Sequence, residues 1–155
     1  MTRVTYDIVR EPLDATYAEL IRQLGQRAAS FSLIVRDEID VSPRAGEVLA
    51  SLSAELTRTE RVTEWPGTQL VHGHALRHDF SVSEGSIKIL VDAATRLYAW
   101  KQPDLPEDLC FYRSSGDVLM GSISHECDGF LVLDRRELEA LRSAVTDLKV
   151  AASRS

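Results

Sequence analysis

The chain has 155 residues, 44% of them hydrophobic and 27% charged, with 18 Lys and Arg against 24 Asp and Glu for a formal net charge of −6. That length suffices for one buried core, and that composition is far from the depleted one of a disordered chain. The acidic balance excludes the general affinity for nucleic acid or anionic membrane that clustered Lys and Arg provide, and leaves a small-molecule ligand or a protein partner.

No apolar run approaches the ~20 residues of a membrane span, and the opening MTRVTYDIVREP alternates polar and apolar residues, so a cytoplasmic setting is expected, with Cys110 and Cys127 reduced. In that opening, Val4, Tyr6 and Ile8 have the period of a strand, which Pro12 ends. Tyr17, Leu20, Ile21, Leu24 and Ala28 then recur at helical spacing, with Asp14 or the Thr16/Glu19 pair as N-terminal caps. Ser30 to Arg36 is an apolar run too short for a helix and predicts a buried strand. Ser42 before Pro43 starts a second helix, with Ala45, Val48, Leu49, Leu52 and Leu56 inward.

Arg58 to Trp65 and Leu70 to Val82 are expected to be extended on either side of a type II turn at Pro66-Gly67. A third helix, capped by Ser83, carries the stripe Ile87, Leu90, Val91, Ala94, Leu97 and Tyr98, and Pro103 and Pro106 prevent its continuation. Leu109 to Arg113, Val118 to Cys127 and Phe130 to Leu133 predict a meander with bends at residues 114 to 116 and at Asp128-Gly129. Asp134 and Glu137 cap a last helix with Leu138, Leu141, Val145 and Leu148 inward. Residues 1–150 are then one domain and 151–155 a frayed tail. The order β-α-β-α-β-β-α-β-β-β-α indicates an α+β or α/β fold with a mixed, mostly antiparallel sheet and about four helices.

Reactive side chains concentrate in GSISHECDGFLVL, residues 121 to 133. On one continuous strand, Ser122, Ser124 and Glu126 share one face and His125 and Cys127 the other, which excludes a triad of neighbours. The expected register sets Arg113 opposite Val118, Cys110 opposite Gly121, Cys127 opposite Phe130 and His125 opposite Val132. Ser122 and Ser124 would then floor a shallow groove between Phe111 and Arg113 on one side and Leu131 and Leu133 on the other; the plainer alternative is helix packing. His125 suits acid–base work, although a histidine beside an apolar surface more often has a structural role. Glu126, if buried, would need Arg36 or Arg113 or would hold a proton.

His72, His74 and His78 have one parity in VHGHALRH, and two of them with His125 or Glu126 could hold a metal ion; a merely exposed histidine face is the plainer alternative. Trp65, Trp100 and Tyr98 could wall a ligand or simply edge the core. There is no G-x-G-x-x-G, P-loop, G-x-S-x-G or C-x-x-C, and no cofactor is expected.

Five pieces, LIVRDEI, EWPGT, LYAW, LPEDLCFYR and SISHE, together resemble a family of small uncharacterised bacterial proteins, some automatically labelled stage III sporulation protein. The resemblance implies no activity. It does imply where to look: Arg36, Asp37, Trp65, Thr68, Trp100, Glu107, Asp108, His125 and Glu126. Three functions compete. The first is a cytoplasmic binding module of an immunity or regulatory kind. The second is a small enzyme with Glu126 or His125 as acid–base residue and Arg36 as anion binder, and the third is a metal-binding domain using His72 and His74.

Overall fold

In the computed structural model, which describes residues 2 to 153, the alternating segment Val4–Ile8 is strand β1. The apolar run Ser30–Arg36 is β2, Leu56–Val62 is β3, and Glu64–Trp65 and Thr68–Gln69 are the short β4 and β5. Ala75–Ser81, Glu107–Tyr112, Val118–Ile123, Asp128–Leu133 and Val150–Ala152 are β6 to β10. Eight strands form one sheet in the order β10-β1-β9-β8-β7-β2-β6-β3, with antiparallel pairing throughout. β4 and β5 make a separate hairpin whose turn has Gly67 at φ 88°, the conformation a type II turn requires of its third residue.

Four helices, α1 (Ala15–Arg27), α2 (Pro43–Ser51), α3 (Glu84–Ala93) and α4 (Arg135–Ala144), complete an α+β fold. Three start where the sequence signals them. Ser42 accepts from Ala45 N–H, while Ser83 with Ser86 and Asp134 with Glu137 form reciprocal capping boxes. Tyr17, Leu20, Leu24, Leu90, Leu138 and Leu141 from the helices share one core with Phe31, Leu33, Phe80, Phe111, Leu131 and Leu133 from the sheet. A smaller cluster of Ile34, Trp65 and Ala75, with Val62 and Leu70 against it, marks where the β4–β5 hairpin folds onto the sheet.

Five expectations fail where long-range pairing outweighs local pattern. α3 stops at Ala93 and does not reach Leu97 and Tyr98, because Asp14 N–H donates to Thr95 C=O and Leu97 N–H to Pro12 C=O; residues Leu97–Ala99 form a separate 3-10 turn. Asp14 precedes α1 at φ 49°, with no capping bond from its side chain. Leu56 begins β3 and is 42% exposed instead of lining α2. Residues 151 to 153 are no frayed tail: Ala151 and Ala152 pair with Asp7 and Tyr6, and Ser153 N–H donates to Thr5 C=O, satisfying an edge of β1 that would otherwise be unpaired. Residues 154 and 155 lie outside the described residues.

The fifth correction concerns the reactive stretch. β8 ends at Ile123, residues Ser124–Glu126 form a 3-10 turn, and Cys127 closes it at φ 51°, so four residues make the bend where two were expected. Ile123 therefore faces Asp128 and Gly121 faces Phe130, while Tyr112, not Arg113, faces Val118. Gly121 has a packing reason, since a Cβ there would lie 2.4 Å from the Phe130 ring. Phe111, Leu131 and Leu133 belong to the helix-covered core, and buried Ser122 donates through Oγ to Leu109 C=O, so the expected groove floor is interior packing.

Arg113 is likewise structural. It forks onto both Glu137 oxygens at 2.8 and 2.9 Å and onto Val132 C=O, pinning the start of α4 to β9. Burial alone would raise the Glu137 carboxyl, but the Arg113 fork and the Asp134 N–H bring it below its usual value. A carboxyl lowered by folding stabilises the protein above its unfolded pKa and loses that contribution as pH falls through the folded one. Urea titrations of wild type and Glu137→Gln should therefore differ most near neutrality and converge under acid; a gap independent of pH would contradict this.

Candidate functional site

Glu107, the first residue of β7, is fully buried. Taking a carboxylate out of water is expensive unless its lone pairs are met, and here they are. Arg36 Nε, at the end of β2, donates to Oε2 at 2.9 Å; His125 Nε2, in the 3-10 turn, contacts Oε1 at 2.6 Å, and Gln102 N–H donates to Oε1 at 3.2 Å. One carboxylate thus separates a guanidinium from an imidazole.

Both partners reach outward from it. The His125 side chain is 40% exposed and the Arg36 side chain 16%. Among the described residues His125 Nδ1 and the terminal nitrogens of Arg36 make no hydrogen bond, so each offers a polar edge to solvent. The Arg36 guanidinium also lies 5.2 Å from the centre of the Trp65 ring, a cation–π arrangement that holds it in place. Its backbone is fixed by Gln102, whose Oε1 accepts from Arg36 N–H at 2.7 Å and whose Nε2 donates to Arg36 and Ile39 C=O.

Asp108, next along β7, builds the other half. Its Oδ2 accepts from Trp65 Nε1–H at 2.8 Å and its Oδ1 from Ser124 N–H at 2.9 Å, which ties the β4–β5 hairpin to the turn carrying His125. Asp108 adopts φ 54°, a left-handed conformation rare in any residue but glycine and least so in Asn and Asp. That twist lets two consecutive acidic side chains both be used inside the protein. Burial raises the Asp108 carboxyl above its usual value, against the lowering by the Ser124 and Trp65 hydrogen bonds and by the Arg36 charge.

Of the candidates read from sequence, the structure joins Arg36, Trp65, Asp108, Ser124 and His125 into one network around Glu107. Thr68 pairs with Trp65 across the small hairpin, and its buried Oγ1, like Ser124 Oγ, has no hydrogen-bond partner among the described residues. The others fall away. Glu126 is exposed, so it needs neither Arg36 nor Arg113. Asp37 is on the surface 3.7 Å from Arg61. Trp100 is fully buried in the main core, where its Nε1–H donates to Tyr17 Oη, so it cannot wall a ligand.

His72 and His74 lie in the irregular loop between β5 and β6, where Gly73 takes φ 78°. The strand that would align them with His78 is absent there. His74 Nδ1 lies 3.3 Å from Arg61, and no group of three His, Cys, Asp or Glu suited to a metal ion exists among the described residues. Gln102 is the site residue that sequence inspection missed, since its place before Pro103 reads only as a break after a helix.

Two free thiols flank the network: Cys127, which closes the turn carrying His125, is exposed, and Cys110 lies in β7. Cys110 is buried, and burial pushes its thiol up to about 12, so a thiolate does not form there at neutral pH. No helix among the described residues is long and apolar enough to cross a membrane. Comparison with family models, curated proteins and solved structures finds no match to this chain.

Proposed function

We propose that the chain is a small acid–base enzyme acting on a small anionic molecule, with His125 as the proton-transferring residue and Arg36 as the anion holder. One observation carries this: a fully buried carboxylate, Glu107, is held between Arg36 and a histidine whose opposite edge is open. A buried carboxylate on one ring nitrogen fixes the tautomer and orientation of the imidazole and stabilises the cation formed when the other nitrogen takes a proton. Nδ1 is then the base towards solvent and, once protonated, the acid that returns the proton. Arg36 lies on the other oxygen of the same carboxylate, where its free nitrogens can grip an oxyanion of the substrate.

The test is a titration with a panel of small carboxylates and phosphate esters, read on the His125 imidazole resonances. At least one ligand should shift them in wild type. Arg36→Ala should abolish that binding, while His125→Gln should retain binding and lose any turnover of the same ligand. If no member perturbs His125, the proposal fails.

A second reading, an interaction module of the immunity or regulatory kind, draws on the exposed loop between β5 and β6. Val71 is 89% exposed there, and the loop is held to acidic Asp37 through the Asp37 N–H bond to His74 C=O. An apolar tip beside carboxylates suits a basic protein partner. A photo-crosslinker at position 71 in the native cell should trap one specific protein, and its absence would end this reading.

A further inference from the structure

The two ends of the main sheet differ. β10 is three residues long, whereas β3 runs for seven, contains no proline, and leaves the side chains of residues 56 to 59 and 61 exposed. Among the described residues β3 pairs only with β6, so its other edge presents unpaired N–H and C=O groups there. Proteins commonly guard such an edge with charge, and β3 carries Arg58, Glu60 and Arg61.

We infer that β3 is the seam of a symmetric homodimer, in which β3 of one copy pairs antiparallel with β3 of a second copy about a two-fold axis at Thr59. The order of the charges carries this. An antiparallel pair related by a two-fold axis must set one residue opposite itself, because side-chain alternation forbids centring between residues. Centring on Arg58, Glu60 or Arg61 places two like charges face to face, which is destabilising across a strand pair. Centring on Thr59 places Thr opposite Thr and sets Arg58 opposite Glu60 of the second copy twice. The charges that repel in the neighbouring registers attract in this one.

The local structure accommodates it. The ladder with β6 has its irregularity between Leu56 and Arg58, so the stretch from Arg58 to Val62 is regular. Arg58 and Glu60 already share a face, 2.9 Å apart, with side chains 64% and 44% exposed. A two-fold axis normal to the sheet keeps the helices of both copies on one side and closes the assembly at two copies, whereas pairing β3 to β10 of another copy is heterologous and leaves a free edge on each side of every pair. The inference is independent of the His125 site.

Sedimentation velocity over a wide concentration range tests it. Wild type should show a reversible monomer–dimer equilibrium that weakens with salt, since exposed ion pairs are screened. Arg58→Glu and Glu60→Arg should each raise the dimer Kd roughly tenfold or more by facing like charges. The double charge swap should restore it. An equimolar mixture of the two single variants should form a heterodimer, because each then supplies what the other lacks. Thr59→Cys, made with Cys127→Ser to remove the exposed native thiol, should cross-link on oxidation. A wild type that stays monomeric with no Thr59→Cys cross-link, a dimer indifferent to both charge reversals, or a mixture no tighter than its components would each overturn the inference.

Discussion

Replacing Glu107 with alanine is expected to lower the unfolding free energy by about 3 kcal/mol, because breaking a buried ion pair from one side leaves the other charge uncompensated. Arg36 keeps its stacking on Trp65 and some access to water, which places the loss at the low end of the range for such pairs. Gln102 N–H is stranded as well, since its acceptor is Glu107 Oε1. Glu107→Gln keeps the shape and one acceptor, but its amide group must point a donor at either Arg36 Nε or the His125 side of the site. It should be milder for stability and severe for function. His125 loses the anion that fixes its tautomer, and activity on any ligand found should fall about 10²-fold or more. Urea unfolding gives the first quantity and the rate on that ligand the second, while imidazole nitrogen shifts of His125 report its tautomer. If Glu107→Gln leaves the His125 resonances unchanged, the carboxylate does not orient the ring and the acid–base proposal loses its foundation.

The parts of this protein that were legible from its residues are those decided within a few positions. Ser42-Pro43, Ser83 and Asp134 with Glu137 announce helix starts because a cap needs only the next three residues, and Pro66-Gly67 announces a turn because only its own backbone matters. The end of α3 was not legible: Ile87 to Tyr98 keeps a helical stripe, but Thr95 and Leu97 pair with residues before α1. The candidate site was half legible. Arg36 lies 66 residues from Gln102 and 71 from Glu107, and no periodicity reports such a contact. In LPEDLC the two acids look like a solvated connection, and nothing local shows that both turn inward. The short pieces VRDEI, EWPGT, LPED and SISHE contribute Arg36, Trp65, Glu107 with Asp108, and Ser124 with His125 to this network. LYAW instead gives the core its Trp100. The expected strand parity at His125 failed because the chain leaves β8 at Ile123, two residues before His125.

Asp108 offers the sharpest separation of two effects at one residue, backbone strain and hydrogen bonding. Alanine there leaves Trp65 Nε1–H and Ser124 N–H buried without acceptors, at about 1–3 kcal/mol each, and keeps a left-handed φ that alanine resists. A total loss of about 4 kcal/mol is expected. Glycine loses the same two acceptors but adopts φ 54° freely, so Asp108→Gly should be more stable than Asp108→Ala by about 1 kcal/mol. Asparagine tolerates the backbone and keeps one acceptor, so it should be the mildest of the three. Burial holds the carboxyl above its usual value, so Asp108 contributes most below its unfolded pKa and less as pH rises through the folded one. The gap between wild type and Asp108→Asn should accordingly narrow as pH rises from below the unfolded pKa through the folded one. Urea unfolding across pH gives the order, and amide exchange at Ser124 tells where the damage lies: it should accelerate in the alanine and glycine variants, as the turn bearing His125 comes free of the β4–β5 hairpin. Glycine exceeding wild type would mean that strain outweighs both hydrogen bonds. In that case Asp108 would no longer be what holds His125 beside Glu107, and the turn would have to be fixed by the imidazole–carboxylate contact itself.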